Sequence, residues 1–336
     1  MKSEKVYGNT GKNENRKDSY AAYTLIQNFE AGSKELVFDK FRIKKIDNSN
    51  WDKLKEIFRP VFVKRVGQHF IERRYKEVPS LPQGEEDFSG LGRIPYDSED
   101  LMLLLRLFKV GDIVYAAGAV ETPEGKLLSQ YQYPMVFSQY HSQYHYKMTE
   151  EEIPAFDEFF EQAPRWEGWY SEWFKIARRY FLWGGSKEFH PGRDNERILD
   201  YMIALEASFV LEGDFVSRRL RERTAAIYEG SEDEKSSLKK MLNEFYGIRS
   251  ALAHGDALSP EQTMVLNEKR LEFEDGVRRL LRKILENCPA SEDGRRRYLS
   301  GLYDISDVER AEKILSDFGA IKETKIRSQL LKRLRG

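Results

Sequence analysis

The sequence predicts an α+β domain followed by an all-α helical domain. Strand-like alternation and turn signals are confined to roughly the first 150 residues, whereas the remainder shows a nearly continuous helical period. The 336 residues suffice for two domains of ordinary size, each with its own core. We place the boundary within Thr149–Glu151, between a mixed domain at 20–149 and a helical domain at 150–336.

The N-terminal elements mix strand and helix patterns. Residues 1–19 are rich in Lys, Asn, Glu and Gly, which is typical of a disordered tail. Glu35–Ile46 alternates as a strand, and Trp51–Glu77 has helical spacing with a break at Pro60. The apolar runs of Leu101–Val136 are divided by the turn signals VGD and TPEG, so this stretch is predicted to be rich in strands.

The helical domain is predicted from successive amphipathic segments. Apolar residues recur three and four positions apart in six of them, at 150–163, 169–183, 195–211, 214–229, 233–254 and 259–287. The last has the start signals of a helix, with Ser259 as N-cap, Pro260 at the first position and Gln262 completing a capping box. Two shorter helical segments, at 306–318 and 320–334, finish the chain.

Composition narrows the class of protein. Charged residues form 33% of the chain and hydrophobic residues 40%, which fits a soluble protein with many solvated helix faces. A formal net charge of −1 gives no global attraction to nucleic acid or membrane, so any polyanion site must be local. The single cysteine, Cys288, excludes a disulfide framework and favours a reducing compartment. Without a signal-peptide pattern or a long apolar run, we expect a cytoplasmic protein with no membrane partner.

Two charged residues lie on apolar helical stripes. The residues three and four positions from them are Met202, Ile203, Phe209 and Val210 around Glu206, and Phe245, Tyr246, Leu252 and Ala253 around Arg249. A charge on a buried stripe costs several kcal/mol unless it is paired. We therefore expect the two helices to face each other, with Glu206 paired to Arg249. Such a pair can serve catalysis or can simply fix the helix register.

A histidine follows at the predicted end of the same helix. His254 lies five positions after Arg249, about 140° around a regular helix, so the two side chains converge if the last turn frays. Gly255 is the expected left-handed stop signal. A histidine at this place can transfer protons, or it can donate to the last helical carbonyls, and the spacing leaves both open.

The residues ALE at Ala204–Glu206 and YGIRSALAHG at Tyr246–Gly255 resemble the helical core of the HEPN superfamily, in particular its Apea-like branch. The resemblance covers roughly Trp166–Asn287 and implies an all-α HEPN-type bundle. In that family an R-x4–6-H motif marks metal-independent endoribonucleases. The resemblance implies that Arg249 contacts the phosphate, and that His254 is the acid or base for attack by the ribose 2′-hydroxyl.

The same resemblance implies supporting residues and partners. Glu206, Ser250 and Tyr246 would support the motif, although Ser250 stands where many active members have Asn, Asp or His. The implied protein is a homodimer through the helical domain that cleaves single-stranded RNA without metal or other cofactor, in microbial antiviral defence or a toxin-like stress response. The alternative is a non-catalytic HEPN-type module for dimerisation and RNA or nucleotide binding, in which the Glu206–Arg249 pair is structural.

Other histidines give weaker signals. Tyr131–Lys147 interleaves aromatic residues with His141 and His145, which is compatible with a base-stacking strip, a metal pair or a strand packed at a domain interface. We favour the interface. His69 and His190 have no evident partner and are expected on the surface.

Phosphate-binding signals are local or absent. The basic clusters at Arg295–Gly301 and 322–336 can contact phosphates, but interspersed acidic residues favour solvated helix faces. The chain contains neither G-x-G-x-x-G nor G-x4-G-K-[ST], which excludes nucleotide chemistry of those two types.

Overall fold

A computed structural model describes residues 19–38, 41–58, 69–75, 96–132, 145–186 and 194–302. The chain divides into two compact units, unit 1 at 1–161 with 185–194, and unit 2 at 162–184 with 195–336. A strand-rich first part is followed by a mostly helical part, which confirms the predicted order of structural classes. The division follows Glu161, about ten residues after the expected boundary, so the helix Ile153–Gln162 falls almost entirely in unit 1.

Unit 1 is built on a six-stranded antiparallel sheet with strand order β3-β4-β5-β1-β6-β7. Its strands, with a separate parallel pair β2–β8, are β1 Tyr20–Gln27, β2 Phe29–Ala31, β3 Glu35–Val37, β4 Phe41–Lys45, β5 His69–Tyr75, β6 Val114–Glu121, β7 Leu127–Gln132 and β8 Tyr146–Met148. Its helices are α1 Asn48–Ile57, α2 Tyr96–Phe108 and α3 Ile153–Gln162. In the central register, Tyr23 lies between Glu72 of β5 and Ala119 of β6.

Apolar side chains cover both faces of this sheet. On one face, Leu54 and Ile57 of α1 pack against Leu25 of β1 and Phe70 of β5. The other side carries aromatic contacts, in which the ring of Phe41 lies 5.1 Å from that of Phe160 on α3. A central strand covered on both faces is apolar in both directions, which weakens its alternation.

Three sequence predictions for unit 1 are wrong in part. Glu35–Ile46 contains two strands, β3 and β4, rather than one. The predicted helix Trp51–Glu77 ends at Ile57, and its last part is strand β5. The apolar run at Leu101–Phe108 is helical, because a short, fully buried run has no alternation that separates helix from strand.

His69 is a buried residue of β5 and not the surface histidine that was expected. Its side chain is buried, and its ring lies edge-on to Phe29 with the two centroids 5.1 Å apart. Burial, and then the nearby charge of Lys45, lower the pKa of His69 to about 4. The imidazole is therefore neutral in the folded protein at neutral pH.

Unit 2 is a set of helices with defined starts and stops, α4 Glu172–Ser186, α5 Asp194–Phe209, α6 Val216–Ile227, α7 Glu232–His254, α8 Pro260–Asn287 and α9 Glu292–Gly301. Ser259 caps α8 as predicted, since its side chain accepts from the Gln262 amide and its own amide donates to Gln262. Helices α7 and α8 pack through Phe245 and Phe273, whose rings stack with centroids 4.0 Å apart.

Two arginines from later helices hold the C-terminal end of α5. Arg295 of α9 donates to the carbonyls of Ala207 (2.7 Å) and Val210 (3.1 Å), and Arg223 of α6 donates to that of Phe209 (2.7 Å). These bonds satisfy carbonyls that a helix end leaves without partners. Arg295 is buried, so the expectation of a solvated face is wrong for this residue, whereas its neighbour Arg296 is exposed.

Within the described ranges, no helix is long and apolar enough to cross a membrane.

Candidate functional site

Glu206 of α5 and Arg249 of α7 form the predicted ion pair. The Nη2 atom of Arg249 donates to Oε2 of Glu206 over 3.1 Å. The ion pair joins the two apolar stripes on which its members were placed, although Ala253, on the stripe of Arg249, is exposed. Phe209 and Phe245, from opposite stripes, are both fully buried. The prediction of this contact is confirmed.

The pair is half-buried rather than fully buried. The side chains of Glu206 and Arg249 remain 17% and 29% exposed. In the part of the chain that is described, the buried atoms Oε1 of Glu206 and Nε of Arg249 have no hydrogen-bond partner. Burial raises the pKa of Glu206 above its ordinary value, and the charge of Arg249 only partly opposes this. The carboxylate therefore gains less from its partner than it loses in hydration.

Tyr246 and Ser250 line the same part of α7. The guanidinium carbon of Arg249 lies 5.9 Å from the centre of the Tyr246 ring, within reach of a cation–π interaction. Both Tyr246 and Ser250 are half-exposed. On a helix Tyr246 precedes Arg249 by three positions and Ser250 by four, so the three side chains share one side of the helix.

His254 is the last residue of α7 and is exposed. Gly255 follows in the left-handed region with φ of 77°, its amide donates to the carbonyl of Leu252, and the Asp256 amide donates to that of Ala251. These are the bonds of a regular glycine stop, so the fraying that would bring His254 towards Arg249 is absent from this helix end. On a regular helix the two residues differ by about 140° and by about 7.5 Å along the axis.

The motif residues instead form a polar strip along the last two turns of α7. The strip consists of Arg249, Tyr246, Ser250 and His254, in that order around the helix. Arg249 lies at the edge of the core, where Glu206 fixes it, and His254 lies at the exposed end. A phosphodiester on this strip would meet a guanidinium on one side and an imidazole on the other.

The described residues include no group of three or more His, Cys, Asp or Glu side chains arranged to hold a metal ion. In unit 1, His145 pairs with Glu30 through Nδ1. His141 and most of the aromatic stretch around it, His190, and the basic tail at 322–336 lie outside the described residues.

Sequence reasoning missed a buried charge cluster in unit 2. Arg197 of α5 donates to Glu274 of α8 over 3.0 Å, with side chains only 3% and 6% exposed. Arg270 approaches the same carboxylate at 3.6 Å. A search for charged residues on apolar helical stripes does not find this cluster, because Arg270 and Arg278 lie four positions before and after Glu274 and make its surroundings in the sequence look polar.

Searches against family models, curated proteins and solved structures found no match to this chain.

Proposed function

We propose that unit 2 is a metal-independent endoribonuclease of the HEPN type that cleaves single-stranded RNA at the α7 strip. The observation that supports this proposal is the half-buried Arg249. Its guanidinium is oriented by Glu206, and its side chain remains 29% exposed on the helix that ends at His254. A planar guanidinium held by a carboxylate is suited to bind a phosphate, because its orientation is fixed before the ligand arrives.

The reaction follows from these groups. A base takes the proton of the ribose 2′-hydroxyl, whose oxygen attacks the adjacent phosphorus. The bond from phosphorus to the 5′-oxygen breaks, and an acid gives that oxygen a proton, which yields a 2′,3′-cyclic phosphate and a 5′-hydroxyl end. Arg249 would stabilise the charge that develops on the phosphate oxygens. DNA lacks the attacking hydroxyl and should remain intact.

The proposal includes a symmetric homodimer. The reaction requires two proton transfers, and the strip offers one exposed histidine per chain. Two copies of α7 related by a twofold axis would place two histidines on one cleft, which also removes the need for Arg249 and His254 of one chain to converge. Light scattering at tens of micromolar protein should show a dimer, since that concentration is enough for a dimer of roughly micromolar Kd to form. A monomer at this concentration would argue against the shared cleft.

The decisive experiment is cleavage of single-stranded RNA by the full chain in EDTA. His254→Ala should lower the rate by about 10²–10⁴-fold, the usual contribution of a proton-transfer group. His145→Ala is the matched control, since it removes a histidine of unit 1 and should leave the rate unchanged. Arg249→Lys keeps a positive charge beside Glu206 but loses the planar fork, so it should cleave more slowly while remaining folded.

Two observations favour the alternative of a non-catalytic dimerisation and RNA-binding module. The regular end of α7 keeps Arg249 and His254 about 140° apart, and Ser250 follows the arginine. In that case RNA binds but stays intact, and Arg249→Lys acts only on binding. Cleavage that persists in His254→Ala, that stops in EDTA, or that extends equally to DNA would also reject the nuclease proposal.

A further inference from the structure

Phe215 is an aromatic side chain displayed on the surface of unit 2. It is 81% exposed, more than any other exposed large apolar residue of the described chain. It stands at the position before α6, immediately after the turn Leu211–Asp214 that follows α5. A single exposed apolar side chain is common on protein surfaces, so Phe215 becomes informative only through the charged side chains beside it.

The turn beneath Phe215 is firmly held. The Asp214 amide donates to the carbonyl of Leu211 over 3.1 Å, and the Leu211 amide donates back to the Asp214 carboxylate over 2.7 Å. Gly213 has the positive φ of 84° that a type II turn requires at its third position. The carboxylate is also paired with Arg223 over 2.5 Å, where both side chains are buried. The ring of Phe215 is therefore presented from a fixed backbone.

Arginines continue this surface along α6. Arg218 lies three positions after Phe215, and Arg221 lies three positions further along α6, about 60° around the helix from Arg218. The side chain of Arg218 is 54% exposed, and it pairs with Glu222, which has a second partner in Arg219 at 3.0 Å. Glu222 thus stays paired if Arg218 turns towards a ligand.

Arg221 offers a second charge. Its Nε donates to the Ser217 carbonyl over 3.1 Å, and no carboxylate of the described chain is bonded to it. Helix α6 has four arginines, but Arg219 and Arg223 pair with Asp214, so Arg218 and Arg221 carry the positive charge of the exposed face. The exposed Glu212 in the turn is the nearby opposing charge.

We propose that Phe215, Arg218 and Arg221 form a secondary contact surface for single-stranded RNA, in which a base stacks on Phe215 and the two arginines bind flanking phosphates. An aromatic ring beside positively charged side chains is the usual way in which single strands are held without sequence readout. A duplex conceals its base faces, so it cannot use the ring. The choice of RNA as the ligand rests on the proposed ribonuclease function.

The test is fluorescence anisotropy with a labelled single-stranded RNA of about ten nucleotides, a length typical of one single-strand site. The full chain carries His254→Ala so that the RNA stays intact. Phe215→Ala should raise Kd by about 5- to 150-fold, the range for one stacked base, and Phe215→Trp should retain binding. Ile176→Ala, which removes another exposed apolar side chain of unit 2, is the control and should bind normally.

Salt dependence distinguishes the arginines from the ring. Arg218→Gln and Arg221→Gln should each make the slope of log K against log salt shallower by about 0.7, since each removes one phosphate contact with a single strand. Phe215→Ala should leave the slope unchanged. Arg279→Gln is the matched control, because Arg279 is 56% exposed and pairs with Asp275 four positions away, as Arg218 does with Glu222.

The proposal would be overturned if Phe215→Ala binds RNA normally, or if Arg279→Gln changes the salt slope as much as Arg218→Gln does. It would also be overturned if the parent chain does not bind single-stranded RNA, a result that would favour a protein partner for Phe215. Circular dichroism of each variant checks folding. Cleavage is measured separately. If the chain binds RNA through Phe215 but cleaves none, the nuclease proposal is wrong and the RNA-binding surface stands. If the chain cleaves RNA but Phe215→Ala binds it normally, the nuclease proposal stands and this surface is wrong.

Discussion

Removal of one partner of the Glu206–Arg249 pair should destabilise unit 2, and removal of both should cost less than the two single losses together. Breaking a fully buried pair costs about 3–5 kcal/mol, whereas exposed pairs contribute about 0–1 kcal/mol. Side chains that are 17% and 29% exposed and share one 3.1 Å hydrogen bond lie between these cases. We expect Glu206→Met to cost about 2 kcal/mol, mainly by leaving the Arg249 guanidinium half-buried and unpaired.

The double variant carries the sharper expectation. Glu206→Met with Arg249→Met replaces both charges by apolar groups of similar shape, and it also removes the two buried polar atoms that lack partners in the described chain. The loss in the double variant should therefore be smaller than the sum of the two single losses by about 1–2 kcal/mol. Losses that add within about 0.5 kcal/mol would refute the coupling.

Urea unfolding followed by tryptophan fluorescence is a suitable assay. Of the 5 tryptophans, all but Trp51 lie in unit 2, so the signal reports chiefly on the helical unit. The pKa of Glu206 gives an independent check by NMR titration of the carboxyl carbon. Arg249→Met should raise this pKa further, because it removes the charge that favours the ionised form. Since the folded pKa is already raised, the contribution of Glu206 to stability should increase as the pH falls through it.

Three further predictions concern single positions. Arg295→Met should cost about 2 kcal/mol of unfolding free energy, since it deprives the carbonyls of two half-buried residues of a charged donor, whereas the exposed neighbour Arg296→Met should change it by less than about 0.5 kcal/mol. Gly255→Ala should cost about 1 kcal/mol because φ is positive there. Gly247→Ala, inside α7, should gain about 0.5–1 kcal/mol in the same urea assay, because an added Cβ would make only an ordinary contact of 3.8 Å with the Gln262 side chain. Because the pKa of His69 is lowered to about 4, unit 1 should lose stability as the pH falls from about 6.5 to about 4. Hydrogen exchange of the β5 amides should show a weaker pH dependence of stability in His69→Leu. Equal pH dependence in the two proteins would contradict a buried, neutral His69.

Patterns in the sequence predicted the Glu206–Arg249 ion pair and the ends of α7 and α8, because both features can be recognised from residues within four positions along the chain. Glu206 and Arg249 interrupt apolar stripes, and Ser259 and Gly255 carry the local chemistry of a helix start and stop. The four residues of the polar strip on α7 were named from the resemblance, but the convergence of Arg249 and His254 required a frayed last turn, which α7 does not have.

What escaped prediction depends on distant contacts. Arg197 pairs with Glu274 across 77 positions, and neither is surrounded by apolar residues along its helix that would reveal its burial. The segment Leu101–Phe108 is apolar at every position except Arg106, so the spacing of its apolar residues does not distinguish a helix from a strand. The sequence around Phe215 does not distinguish it from a core phenylalanine, and only the fold shows that it is exposed.

The two arginines that bind the end of α5 also determine when this part of unit 2 can fold during synthesis. Arg295 reaches back 88 positions to Ala207, and Arg223 donates to Leu299, 76 positions ahead. During synthesis the chain emerges from its N-terminal end, so the last turn of α5, next to Glu206, has no complete set of partners until α9 has left the ribosome. Nascent chains that stop before residue 295 should therefore leave the segment around Glu206 open to protease, and lengthening them by one helix should protect it.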